Sequence, residues 1–192
     1  MRFRILLATF TCLGLAAGYL SWMLYECAPG QGARPPARYP GGGSLPRLLL
    51  FLHPDCPCSQ ATLEELSQIR PQIQLEVVLT RPVPSELLST LQRRFAGAGL
   101  TPDPEGRQRE TYQVWTSGQL IGYDARGKLG FCGGITASRG QAGPSLGRAN
   151  LVAWLNGQPV QEGSVFGCPL VHPDEMCSRS SCQRQGTARR NQ

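Results

Sequence analysis

Leu48-Leu49-Leu50-Phe51-Leu52-His53-Pro54-Asp55-Cys56-Pro57-Cys58-Ser59-Gln60-Ala61-Thr62-Leu63 is the stretch on which the reading of this chain turns. An unbroken apolar run reads as a strand buried on both faces. It empties into two cysteines with one proline between them, and a helical pattern starts at once behind them. A strand that bends into a helix here places both sulfurs at a helix N-terminus, where free N–H groups and the helix dipole favour a thiolate. A thiolate so placed attacks disulfides and binds soft metals. Asp55 next door opposes ionisation, while the helix terminus favours it. His53, at the strand end, is a candidate proton shuttle, with a loop histidine bonded to backbone as the plainer alternative.

Working outward, a helix is expected over 58–70. Ala61, Leu63, Leu66 and Ile69 form its apolar stripe, Glu64 and Glu65 face out, and Pro71 stops it. Residues 73–79 alternate and then turn fully apolar, as a buried strand does. Ser85 is a plausible N-cap for a helix through Leu87, Leu88, Leu91 and Phe95, ended by Gly97. The polar, proline-bearing stretch 98–110 reads as loop. A hairpin follows, with arms 119–123 and 128–132 joined by Asp124-Ala125-Arg126-Gly127. The Gly-rich loop 133–143 lacks the Gly-Lys-Ser/Thr ending of a phosphate loop and reads as a connector along the rim of the site. A last helix covers 145–156 and closes at Gly157. This order gives a mixed sheet with helices on both faces, an α/β class, and puts the cysteines beyond the carboxyl end of a strand.

The first part of the 192-residue chain has a different character. Arg2 and Arg4 precede an uncharged run from Ile5 to Tyr25, which would span roughly 30 Å as a helix, enough to cross a bilayer core. Tyr19, Trp22 and Tyr25 near its exit suit an interfacial belt, and the run is longer than a signal peptide needs. The flanking charge predicts a cytoplasmic N-terminus and an exported remainder. Eight cysteines fit the same oxidising compartment. The net charge of +6 implies no basic face: Arg2 and Arg4 supply two charges and Arg179, Arg184, Arg189 and Arg190 four, so the part between is neutral. The expected divisions are therefore an N-terminus and anchor over 1–27 and a Pro/Gly-rich flexible tether over 28–46. A folded domain over 47–157 and a basic, cysteine-bearing tail over 158–192 complete the chain.

Phe51-Leu52-His53-Pro54-Asp55-Cys56, the helix after Cys58 and Tyr123-Asp124-Ala125-Arg126-Gly127-Lys128-Leu129 together resemble the thioredoxin-like superfamily, especially its membrane-tethered bacterial members. The resemblance covers about residues 45–157. It implies a thioredoxin-like fold, an N-terminal transmembrane helix in the bacterial inner membrane, and a domain facing the periplasm or cell exterior. It also implies disulfide exchange with exported cysteine-containing proteins and with a membrane redox partner, with Cys56 attacking and Cys58 resolving. No organic cofactor and no nucleic acid are implied. The family pair is Cys-x-x-Cys, whereas here only Pro57 separates the two; the smaller ring makes a strained, easily reduced disulfide. The family also carries a cis-proline facing its cysteines. Gly118 stands at that place after Thr116 and Ser117, and these three are the expected substrate-binding edge.

Two other classes stay open. His53, Cys56 and Cys58 offer one imidazole and two thiolates, a set that suits Cu(I) or Zn and a metal-chaperone role. A redox-inactive interaction domain is the other. The Pro-x-x-x-Thr-x-x-Cys context of thiol peroxidases is absent. Of the remaining cysteines, Cys12 lies in the anchor, Cys27 at its exit and Cys132 at the end of the hairpin. Cys168, Cys177 and Cys182 with His172 have zinc ligand types at no common spacing. Disulfides pinning the tail to the domain are the expectation for them, with the pairing left open.

Overall fold

A computed structural model describes residues 2–42, 45–54, 56–69 and 73–170. The apolar run at 48–52 becomes β1 (Arg47–Leu52), the middle strand of a five-stranded sheet. Being central explains its composition, because both edges and both faces of the strand are covered. It pairs in parallel with β2 (Gln74–Leu79) and antiparallel with β4 (Gln119–Tyr123). β3 (Gly99–Pro102) adds to β2 in parallel, and β5 (Leu129–Gly133) closes the hairpin with β4, giving the order β3-β2-β1-β4-β5.

Alternate residues of β1 enter two separate cores, as the two-residue strand period requires. Leu48, Leu50 and Leu52 pack with Leu63 and Leu66 of α2 (Pro57–Ile69), Leu91 of α3 (Ser85–Arg94) and Leu151 of α5 (Leu146–Leu155). Leu49 and Phe51 enter the other, with Val78, Ile121, Tyr123, Tyr112 and Val114. The last two follow α4 (Arg107–Thr111). The hairpin and the closing helix lie where the sequence places them, and Ser145 caps α5 by accepting the Arg148 N–H at 3.0 Å.

Several expectations change. The stretch 98–110 is not a plain loop: it holds β3 and α4, the latter held by the buried Asp103 carboxylate, which accepts the N–H groups of Gln108 (3.0 Å) and Arg109 (2.9 Å). Glu65 does not face out. It is 1 % exposed, pairs with Arg148 at 2.7 Å and accepts the Gly143 N–H at 2.7 Å, so α5 draws it inward by charge. Ser85 is the first residue of α3 rather than its cap; Pro84 stands at the cap. Residues 28–42 lie along the sheet instead of standing free. The Tyr123 hydroxyl donates to Pro36 at 3.0 Å, Tyr39 rests edge-on against the Tyr123 ring at 5.5 Å, and Arg47 covers Tyr39 at 4.0 Å. These prolines and glycines fill the second sheet face with backbone where no long helix does.

Residues 2–27 form one helix, α1 (Arg2–Cys27), whose described apolar side chains are exposed, Phe10 and Leu13 among them. Among the described residues no helix is long and apolar enough to cross a membrane. The expected helix stop at Pro71 lies outside the described residues. So do Asp55, His172, Cys177 and Cys182.

Candidate active site

The chain leaves β1 through His53 and Pro54 and enters α2 at Pro57. Proline suits this first helical position, since its missing N–H is one that no intrahelical carbonyl would receive. Cys56 therefore stands at the cap, with its carbonyl accepting the N–H of Ser59 at 2.9 Å, and Cys58 lies in the first turn. A closed ring of hydrogen bonds fixes the bend. The His53 N–H donates to Ser117 Oγ (2.9 Å), the Ser117 and Ser59 hydroxyls lie 2.8 Å apart, and Ser59 Oγ donates to the His53 carbonyl (2.7 Å). Ser117 belongs to the edge expected beside the cysteines, whereas nothing in the sequence marks Ser59; both are buried and polar, and the fold brings them together.

The two sulfurs have unequal electrostatics. The Cys58 thiol donates to the Cys56 sulfur and holds Cys56 down at about 4, overcoming burial, which raises it; hydrogen bonds from Cys168 act in the same direction as Cys58. The same bond pushes Cys58 far up, with burial and the charge on Cys56 adding to it. Of the pair, Cys56 is thus the sulfur held towards its thiolate and Cys58 the one held in its protonated form. Gly140 bonds through its backbone to Cys58, which places the Gly-rich loop at the rim, as its sequence suggests.

A third sulfur completes the group. Cys56, Cys58 and Cys168 bring their Sγ atoms within 4.8 Å of one another. Burial pushes the Cys168 thiol up to about 11, with its hydrogen bond to Cys56 adding to this. Among the described residues this trio, without His53, is the set whose donor atoms converge, so the soft-cation donor set expected from the sequence exchanges its imidazole for a third sulfur. The six described cysteines, Cys12, Cys27, Cys56, Cys58, Cys132 and Cys168, are free thiols. Cys132 is buried elsewhere, beside Gln119 and the Ala33 carbonyl. In place of a disulfide, backbone pairing holds Cys168 to the domain.

Thr116, Ser117 and Gly118 stand beside the cysteines, but all three are buried. The Ser117 N–H donates to the Cys168 carbonyl at 2.9 Å, and the Thr116 hydroxyl to Gln31 at 2.8 Å. Among the described residues there is no cis peptide bond, and Gly118 takes φ +84° instead, where a Cβ would also meet Thr62 Oγ1 at 2.8 Å. The thiol pair itself is nearly closed off, with Cys56 at 2 % and Cys58 at 5 % exposure. Nothing in the sequence tied Cys168 to this pair, because local spacing groups it with His172, Cys177 and Cys182 and carries no mark of a partner so far back along the chain.

No protein-family model matches the chain, and no curated protein matches it. Solved structures do. A hypothetical protein from Sinorhizobium meliloti 1021 superposes with a TM-score of 0.54 at 17 % identity, over 76 % of this chain and 91 % of that one. An uncharacterized conserved protein from Geobacillus kaustophilus gives 0.55 at 18 %, over 77 % and 94 %. A secreted Mycobacterium tuberculosis disulfide oxidoreductase aligns over 60 % of this chain and 83 % of that one, at 18 % identity and a TM-score of 0.44. The sheet order, with three parallel strands followed by an antiparallel hairpin and a cysteine pair at the head of α2, is that of a thioredoxin-like fold.

Proposed function

We propose that this chain is a membrane-anchored thioredoxin-like thiol–disulfide oxidoreductase that acts on exported cysteine-containing proteins. The observation that carries the reading is the convergence of the Cys56 and Cys58 sulfurs, within 4.8 Å of each other at the sheet-to-helix bend, with the first held down as a thiolate and the second pushed up. In the exchange, Cys56 attacks a disulfide sulfur of the substrate and expels one substrate thiolate. Cys58, losing its proton, then attacks Cys56 in the mixed disulfide and releases the second. His53 is the residue proposed to pass that proton on. The tightness of the site bears on its substrate: a disulfide must reach Cys56 past whatever covers it. A membrane redox partner restores the starting state.

Anchoring is supported by α1. Phe10, Leu13, Leu15, Leu20 and Leu24 are 59–78 % exposed, and large apolar side chains left bare along one helix call for an apolar surrounding. Single-pass insertion in a bacterial inner membrane, with the domain on the periplasmic or outer side, is the matching arrangement. A second reading rests on the three converging sulfurs, a donor set suited to Cu(I).

The test is release of peptide thiols from a disulfide-bonded peptide by the reduced full chain in detergent. Stoichiometric release by wild type and none by Cys56→Ser is expected; equal release by both would end the exchange reading. Membranes from expressing cells, washed in alkaline carbonate, should keep the chain, and its appearance in the wash would remove the anchor.

A further inference from the structure

We propose that residues 164–170 occupy the place of a substrate strand and that Cys168 is an internal disulfide partner of Cys56, exchangeable with Cys58. This rests on the thiol–disulfide reading above.

The first ground is the edge beside the cysteines. An extended substrate would add its backbone to Trp115–Ser117, the edge next to the nucleophile. The chain's own segment already does so. Ser117 donates to the Cys168 carbonyl and Leu170 donates to the Trp115 carbonyl, each at 2.9 Å, while Thr116 and Pro169 form an antiparallel bridge. The second ground is the sulfur that this pairing delivers, with Cys168 Sγ within 4.8 Å of both Cys56 and Cys58. The third is that the segment is fitted to its place. Val165 is 1 % and Leu170 8 % exposed, and a Cβ at position 167 would overlap the Ser117 carbonyl oxygen, so glycine alone passes there. Arg139 donates to the Gly167 carbonyl and covers the Tyr25 ring at 4.9 Å, tying the segment to the end of α1.

The chemistry is an isomerisation. After exchange with a substrate, Cys56 and Cys58 share a disulfide. The Cys168 thiol gives up its proton and attacks Cys56 Sγ; the Cys56–Cys58 bond breaks, the Cys56–Cys168 bond forms, and Cys58 leaves and takes up the proton. One disulfide replaces another, so no further oxidant is consumed. The two bonds differ in constraint. Cys56–Cys58 closes a small ring through one proline, while Cys56–Cys168 joins two segments that already lie side by side, and exchange runs towards the less strained bond. The product is a closed site: the nucleophile is capped and the substrate edge is filled.

Full chain in detergent, equilibrated with oxidised and reduced glutathione, alkylated and digested, gives the pairing by peptide mass spectrometry. Wild type is expected to hold Cys56–Cys168 in about tenfold excess over Cys56–Cys58. Cys58→Ser should still form Cys56–Cys168, and Cys168→Ala should shift the bond to Cys56–Cys58. Near-UV circular dichroism checks that the variants fold, and the wild-type map stands without them. Cys56-dependent thiol release with Cys168 reduced throughout, or with Cys168 bonded to Cys177 or Cys182, overturns this proposal and leaves exchange intact. Absence of Cys56-dependent release in every form sinks both. Retention of one Cu(I) per chain by three thiols that resist oxidised glutathione also overturns it, in favour of the metal reading.

Discussion

At the scale of single residues, Cys56 is governed by its sulfur neighbours, Cys58 first and Cys168 after it. Its thiol ionises at about 4 because the Cys58 thiol donates to it more than burial penalises its charge. The rate at which iodoacetamide alkylates Cys56 should therefore stay level from pH 8 down to about pH 5, where an ordinary thiol slows about tenfold per unit. Cys58→Ala removes the main donor, and its alkylation rate at pH 6 should drop by at least about tenfold; a rate unchanged in that variant would assign the thiolate to something else. The same shift fixes a sign for stability. Because the folded value lies below the unfolded one, this group's contribution in the reduced protein is complete above about 9 and fades as pH falls towards 4. Cys168, raised to about 11, works oppositely: its contribution is present below its unfolded value and is lost as pH climbs through 11. The cysteine pair and its position at the bend were readable from local sequence. Cys168 and the bond between Ser59 and Ser117 were not, since 58 positions separate the two serines and Cys168 reaches the pair from a still more distant stretch of chain.

At the scale of elements, α2 and α5 are joined by a charge pair inside the protein. Glu65 is 1 % exposed, and its two oxygens are taken by Arg148 and the Gly143 N–H. Arg148→Met leaves that carboxylate buried without its cation and should cost about 3 kcal/mol, read as a lower urea midpoint with an unchanged slope. A loss under about 0.5 kcal/mol would mean that solvent reaches Glu65. Helical periodicity put Glu65 beside Glu64 on a solvent face; what periodicity omits is the partner on a helix some eighty residues on. The same limit hid β3 and α4. Their residues are short on apolar pattern, and α4 is held by Asp103, a cap that precedes the helix by several residues.

At the scale of the whole molecule, the terminal parts are fitted to the domain rather than hung from it. Residues 28–42 cover one sheet face, and residues 163–170 cross from β5, where the Gly163 N–H donates to the Cys132 carbonyl at 3.0 Å, to the cysteines. Gly30 bonds to Val165 at 2.8 Å, so the two segments also hold each other. Gly167→Ala should push the crossing segment off Ser117 and uncover Cys56. Its alkylation rate at pH 7 should rise about tenfold or more, with the helical content of the chain retained. If the rate stays at the wild-type value, the segment is not what closes the site.

The sequence by itself determined the central strand, the bend, the two-cysteine head of the following helix, the hairpin and the closing helix. All of these are written in short-range pattern, where strand and helix periods, proline and glycine act over a few residues. Tertiary structure alone decided that a third sulfur joins the first two, that residues 168–170 pair with the backbone of 115–117 beside the cysteines, and that a glutamate is buried against an arginine. Those outcomes depend on which distant segments share a surface, and a contact between residues so far apart along the chain leaves no period in the sequence between them.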